Sequence, residues 1–288
     1  MFTGSIVAMV TPFKDGAVDY DKLGELVDYH VENGTNAIIP CGTTGESPTL
    51  SHTEHGEVIG KVIETANGRI PVIGGTGSNN TSEAISLTRH AKEAGADGSL
   101  LITPYYNKPT QQGLYDHYKA ILEEVDIPII IYNVPSRTGV SISPETVARL
   151  SEFDNIVAIK EATGDIDQAS QILTLCDITV LSGDDSLTLP IMSIGGKGVV
   201  SVLANILPRE VSELTASIAK GDIKNSQKLH RSLFPLCKAM FIETNPIPVK
   251  TAMKLLGRLN GEMRLPLSKM SDKHEEQLKK VLNNHGLS

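Results

Sequence analysis

The chain is predicted to be an α/β protein, a (β/α)8 TIM barrel followed by a helical appendix, and three observations predict it. Eight short apolar runs of strand character occur in residues 5–203. Segments of helical period separate them, and after the eighth run the pattern becomes helical without interruption. Eight strands alternating with helices imply a parallel sheet, and that count favours closure over an open doubly wound sheet.

In order, the strand candidates are SIVAMV (5–10), NAIIPC (36–41), PVIGG (71–75), GSLLIT (98–103), IPIIIYNV (127–134), IVAIK (156–160), ITVLSG (178–183) and GVVSVL (198–203). They are rich in β-branched residues and flanked by turn formers. Between them lie amphipathic stretches such as YDKLGELVDYHVENG, TEHGEVIGKVIETANG, TSEAISLTRHAKEAG and GLYDHYKAILEEV, several ending at glycine as helices commonly do. LPREVSELTASIAKGD is the expected eighth barrel helix. KNSQKLHRSLFPLCKAMF, PIPVKTAMKLLG and KHEEQLKKVLNNHG then form the appendix, giving a catalytic barrel over 1–224 and a helical region over 225–288.

With 288 residues, 40% hydrophobic and 21% charged, the chain is of globular composition and long enough for a large core. A formal net charge of −8 without a dense basic stripe argues against nucleic acid or an anionic membrane as partner. Cys41, Cys176 and Cys237 are odd in number, far apart and without a C-x-x-C pair, so neither a disulfide framework nor a zinc ribbon is expected. The opening MFTGSIVAMVTPFKDG has no basic region before its short apolar run, and no later run reaches bilayer length. A reducing, cytoplasmic setting is the expectation.

In a barrel of this kind the chemistry sits at the C-terminal ends of the strands. The second strand ends in CGTTGE (41–46), the fourth in TPYYN (103–107), the fifth in YNVPSRTG (132–139), the sixth in KEATG (160–164) and the seventh in SGDD (182–185). Lys160 invites two readings. It can leave the strand for solvent or pair with Glu161, Asp184 or Asp185. Alternatively it is a Schiff-base nucleophile, which requires its pKa of ~10.4 to be lowered, because otherwise fewer than about one molecule in a thousand is neutral at pH 7. Tyr132 closes the neighbouring strand, either as a core ring or as a proton donor to a carbinolamine. Thr43 and Thr44, with Gly45 after them, offer hydroxyls and backbone N–H groups suited to a carboxylate, although TTG alone is only a turn. Arg137 is either a carboxylate clamp or a surface ion-pair partner.

Other local matches are weaker. GGTGSNN (74–80) lacks a full G-x-G-x-x-G spacing, and GGKGVVS (195–201) suits tight glycine packing better than phosphate binding. His52 and His55 stand three apart in SHTEHGE, where Ser51 and Glu54 also fit a capping box, so no metal site is expected.

Taken together and in order, GSIVAMVTPF, CGTTGES, TPYYNKPTQQGL, YNVPSRTG, IKEATGD, SGDDS and NPIPVK resemble the pyruvate-dependent class I aldolase superfamily, most closely the dihydrodipicolinate synthases. The resemblance covers essentially the whole chain. It implies condensation of pyruvate with L-aspartate 4-semialdehyde on the route to lysine and diaminopimelate, without metal or organic cofactor, because the imine itself is the electron sink. It further implies that Lys160 forms the imine and that Tyr132 moves protons through Thr43 and through Tyr106, the latter reaching across a tight dimer interface. Thr44 is implied to hold the pyruvate carboxylate, with Val200 and Gly183 at the same pocket, and Arg137 to bind the semialdehyde carboxylate. Valine at position 200 departs mildly from the family's usual isoleucine. An L-lysine inhibitory site is implied at Ser47, Pro48, His52, His55, Asn79, Glu83 and Tyr105, with proline standing where alanine is frequent at position 48. A homo-oligomer, a dimer of dimers, is implied as well.

N-acetylneuraminate lyases and keto-deoxy-sugar aldolases share the lysine and the tyrosine. Arg137 in PSRTG and the double threonine favour the synthase. A silent ligand-binding barrel would have no use for Lys160, Tyr132, Thr43 and Tyr106 together.

Overall fold

The computed structural model describes residues 2–287. Its eight parallel strands are β1 (Gly4–Ala8), β2 (Ala37–Ile39), β3 (Ile73–Gly75), β4 (Gly98–Ile102), β5 (Ile129–Asn133), β6 (Ile156–Glu161), β7 (Thr179–Ser182) and β8 (Gly198–Ser201). β1 pairs with both β2 and β8, and the order continues through β7, β6, β5 and β4 to β3. The last seam, between β2 and β3, is a single bridge from Ile38 to Val72, with the Ile38 N–H donating to the Pro71 carbonyl at 3.0 Å. The result is a nearly closed barrel, as the alternating sequence predicts.

Strands β2 and β3 are shorter than the apolar runs that announce them. Pro40 and Pro71 lie in those runs and have no N–H to donate, so each joins the seam only through its carbonyl, which accepts from the Gly75 and Ile38 N–H groups respectively at 3.0 Å. All eight strands are buried on both faces, which is why they read as continuous apolar runs. Ile6, Ile39, Ile73, Leu100, Ile130 and Val200 fill the interior. The intervening residues, such as Val7, Ile38, Leu101, Ile131, Ile159 and Val199, face the helices.

The barrel helices are α1 (Tyr20–Glu32), α2 (His52–Ala66), α3 (Thr81–Glu93), α4 (Gln111–Glu124), α5 (Pro144–Leu150), α6 (Ile166–Leu175), α7 (Thr188–Ser193) and α8 (Pro208–Ala219). Ser51 and Glu54 do form a capping box at the start of α2. A small hairpin, Phe13–Lys14 with Ala17–Val18, turns at Asp15-Gly16, both of positive φ, and was not apparent in the sequence pattern. Three further helices follow the barrel: α9 (Ile223–Ala239), α10 (Ile247–Leu255) and α11 (Asp272–Asn284). α9 packs on α8, and α11 packs on α9 and α10. Among the described residues no helix is long and apolar enough to cross a membrane.

Candidate active site

Strands β5 and β6 run in register so that Tyr132 is opposite Lys160. Lys160 is 5% exposed, and its Nζ lies 3.9 Å from the centroid of the Tyr132 ring, on the ring face. That face attracts an ammonium. Among the described residues Lys160 takes part in no salt bridge, so the pairing with Glu161, Asp184 or Asp185 that the sequence left open does not occur.

The next register pair, Asn133 with Glu161, points the opposite way because side chains alternate along a strand. Asn133 Nδ2 donates to Glu161 Oε2 at 3.2 Å, Gln168 Nε2 donates to the same oxygen at 3.4 Å, and the Thr163 N–H donates to Oε1 at 2.8 Å. Burial pushes the Glu161 carboxyl above its ordinary range against these bonds. A buried polar clamp on the outer face thus ties together the two strands whose inner face carries Tyr132 and Lys160.

The CGTTGE loop after β2 is bounded by two non-glycine residues in the left-handed region, Cys41 at φ 56° and Glu46 at φ 55°. Such positions carry strain that the surroundings must hold. Gly45 has no room for a side chain, because a Cβ there would sit 3.0 Å from the Cys41 nitrogen and 3.1 Å from the Met9 carbonyl oxygen. Thr44 is buried, and its Oγ1 accepts a 3.0 Å hydrogen bond from Asn245 Nδ2. Arg137, exposed in the one-turn helix Pro135–Thr138, donates from Nη2 to the Asn245 carbonyl at 3.1 Å. One residue between α9 and α10 therefore holds both groups proposed for carboxylates. NPIPVK was visible as a motif, but its asparagine was given no role by sequence.

A cavity of about 420 Å³ opens at this end of the barrel, and Thr43, Tyr132 and Arg137 form part of its wall. Ser47, Pro48, His52, His55, Glu83 and Tyr105 line the same space. His52 Nε2 is 2.8 Å from Glu83 Oε1, while Ser78 Oγ donates to the other carboxylate oxygen. His55 is buried, and its Nε2 is 2.8 Å from the Gly75 carbonyl, which can only accept, so that nitrogen carries hydrogen. Burial also lowers the His55 pKa.

The remaining expected site residues lie off the cavity wall. Lys160 lies over the ring of Tyr132, which itself forms part of that wall. Val200 is fully buried in the barrel interior next to Ile6, and the Gly183 N–H donates to the Glu161 carbonyl at 2.7 Å. A Cβ on Gly183 would sit 2.5 Å from that of Ala162, so a side chain there would collide with the β6 end. Asn79 Nδ2 donates to the Tyr105 carbonyl at 3.1 Å. Tyr106, at φ 72°, is 88% exposed, and within one chain it is not brought to Tyr132. Among the described residues no three His, Cys, Asp or Glu side chains are grouped as metal ligands would be.

The sequence profile described as the dihydrodipicolinate synthetase family matches residues 1–285. A 4-hydroxy-tetrahydrodipicolinate synthase of Geobacter sulfurreducens is 59% identical over 289 residues, covering 100% of both chains. The crystal structure of a chloride-inhibited dihydrodipicolinate synthase from Acinetobacter baumannii, complexed with pyruvate, is 48% identical and superposes with a TM-score of 0.98 over 100% of both chains. A synthase from Cyanidioschyzon merolae with lysine bound is 41% identical, with a TM-score of 0.97 over 100% of this chain and 99% of that one.

Proposed function

Since the chain belongs to the dihydrodipicolinate synthetase family, a family of lyases, we propose that it condenses pyruvate with L-aspartate 4-semialdehyde through an imine on Lys160. The observation that carries this reading is the placement of Lys160 Nζ on the Tyr132 ring, at the strand ends beside the cavity.

Neutral Lys160 attacks the keto carbon of pyruvate, and the resulting carbinolamine loses water to give a protonated imine. The positive nitrogen withdraws electrons from the adjacent methyl group, which releases a proton and becomes an enamine carbon nucleophile. That carbon attacks the aldehyde carbon, whose oxygen takes up a proton. The amino group of the semialdehyde then attacks the imine carbon, and Lys160 leaves as the ring closes. Tyr132 supplies and removes the protons with Thr43, and with Tyr106 from a second copy of the chain. The 88% exposure of Tyr106 supports that last role, since it leaves the ring free to meet a second copy.

Thr44 holds the keto-acid carboxylate with Val200 and Gly183 nearby, and Arg137 holds the carboxylate of the semialdehyde. The likeness to a pyruvate complex supports the first substrate. L-Lysine is proposed as an inhibitor bound at Ser47, Pro48, His52, His55, Asn79, Glu83 and Tyr105, a reading supported by the lysine-bound relative and by the shared cavity. The oligomer proposed is a dimer of dimers.

The test is borohydride reduction with pyruvate followed by peptide mass mapping, together with turnover of the semialdehyde compared with sialic acid and keto-deoxy-gluconate. An adduct on Lys160 and preference for the semialdehyde are expected. Absence of the adduct would falsify the imine mechanism, and preference for a sugar acid would reassign the chain within its superfamily.

A further inference from the structure

Among the described residues, the most deeply buried ion pair joins the tail to the site loop. Lys250 on α10 is 1% exposed, and its Nζ lies 2.5 Å from Glu46 Oε1. Both side chains are withdrawn from solvent, at 1% and 0%. The same Nζ donates to the Thr11 carbonyl at 2.9 Å and lies 4.4 Å from the centroid of the Phe13 ring. The other oxygen of Glu46 accepts from the Arg264 N–H at 3.2 Å. Thr11 in turn donates from Oγ1 to the Gly45 carbonyl at 2.6 Å, so both sides of the loop end are tied.

Burial pulls the Lys250 pKa down, and the facing Glu46 pulls it back up. Glu262 and Arg264 are the other charges acting on it. Buried pairs of this kind are poor sources of net stability, because desolvation offsets most of their attraction. A different gain is therefore required to account for this one. Glu46 is the residue that closes Cys41–Glu46 in a left-handed conformation unfavourable to a glutamate, two positions beyond Thr44. Holding its carboxylate from the far side fixes that conformation.

We infer that Lys250 and Glu46 are positioning residues, a buried latch through which the C-terminal helices set the placement of Thr43 and Thr44 for the keto acid. The inference rests on the function proposed above, in which Thr44 holds the pyruvate carboxylate. Neither latch residue touches substrate. Together with Asn245, which donates to Thr44 itself, the latch makes the tail a structural part of the site.

The experiment measures KM for pyruvate, KM for the semialdehyde, kcat and thermal melting for the parent, for Glu46→Gln, and for the double variant Glu46→Gln/Lys250→Met. The double variant leaves no unpaired buried charge. Glu46→Gln is the milder change, since a glutamine carbonyl can still accept from Lys250. Both are expected to raise the pyruvate KM, by at least tenfold in the double variant and at least threefold in Glu46→Gln, with a smaller change in the semialdehyde KM. A pair with a purely structural role would lower the folded fraction, and so the apparent kcat, with both KM values unmoved. Should the double variant not fold, Glu46→Gln decides alone. A folded variant whose pyruvate KM matches the parent's overturns the latch. Borohydride trapping of the parent is run beside these assays. Absence of a Lys160 adduct there overturns the imine reading and the latch with it, whereas an adduct with unchanged KM values overturns the latch only.

Discussion

Tyr132 and Lys160 are register partners on adjacent parallel strands, and Nζ of the lysine lies 3.9 Å from the ring centroid of the tyrosine. Under the proposed mechanism the ring and the hydroxyl of Tyr132 have separable roles. Tyr132→Phe keeps the aromatic face beside Lys160 and removes the proton donor. Its kcat is expected to fall by about 10²–10⁴-fold, the usual contribution of a positioned acid–base group, while the pyruvate adduct still forms on long incubation. Steady-state rates and a trapping time course check this, and a kcat within threefold of the parent's would remove Tyr132 from proton transfer.

Arg137 has its guanidinium oriented by the Asn245 carbonyl. In Arg137→Ala the KM for the semialdehyde should rise by roughly 10- to 100-fold, the equivalent of one charge-assisted hydrogen bond of about 1.5–3 kcal/mol. Adduct formation with pyruvate should persist. An unchanged semialdehyde KM would leave the substrate assignment without its main support.

Glu83 engages both His52 and Ser78 in the shared cavity. Each carboxylate oxygen retains a lone pair beyond these partners, so the group can also accept from an ammonium ligand. In Glu83→Ala the L-lysine concentration for half-inhibition should rise at least tenfold, measured at fixed substrate. If inhibition keeps its strength in this variant, the effector lies elsewhere.

Asn133 also ties down the segment that follows the YNVPSRTG loop, because its Oδ1 accepts from the Ile142 N–H at 3.2 Å while its amide donates to Glu161. Asn133→Ala leaves a buried acceptor and a buried donor without these partners. A loss of about 1–3 kcal/mol is expected in urea unfolding. A midpoint equal to the parent's would mean that water substitutes for the amide.

His30 is wholly buried, and burial lowers its pKa from 6.5 to about 3. His117 is likewise lowered to about 4. Below pH 6.5 the unfolded chain takes up protons that the folded chain refuses. Stability is therefore fully present above that pH and is lost as the pH falls toward these folded values. His30 alone accounts for a loss on the order of 4 kcal/mol across pH 6.5 to 3. Unfolding at a series of pH values should show a shallower acid slope in His30→Asn, and equal slopes would count against the assignment.

The sequence carried the barrel because β5 and β6 are buried on both faces, so IPIIIYNV and IVAIK stand out as apolar runs without the structure. Helices α5 and α7 have only 7 and 6 residues, too few turns to establish a period, and the Asp15-Gly16 hairpin has two residues per strand. Lys160 and Tyr132 were legible as strand-end residues. Asn245 and Lys250 were not, because their partners Thr44 and Glu46 lie 201 and 204 positions away, and no local pattern encodes so distant a contact. Tyr106 was named by motif alone, and within one chain its side chain is 88% exposed.

The 204-residue span of the Lys250–Glu46 contact also has a meaning in time. During synthesis at roughly 5–20 residues per second, the ribosome adds the lysine about 10–40 s after the glutamate. Over the last part of that interval, once Ser201 has been added, the nascent chain contains Lys160 and all eight barrel strands, yet the threonine loop has no brace. Under the proposed mechanism, reactivity toward a keto acid is deferred until translation is nearly finished, and a chain terminated just after the barrel should emerge as a scaffold without working affinity for its first substrate.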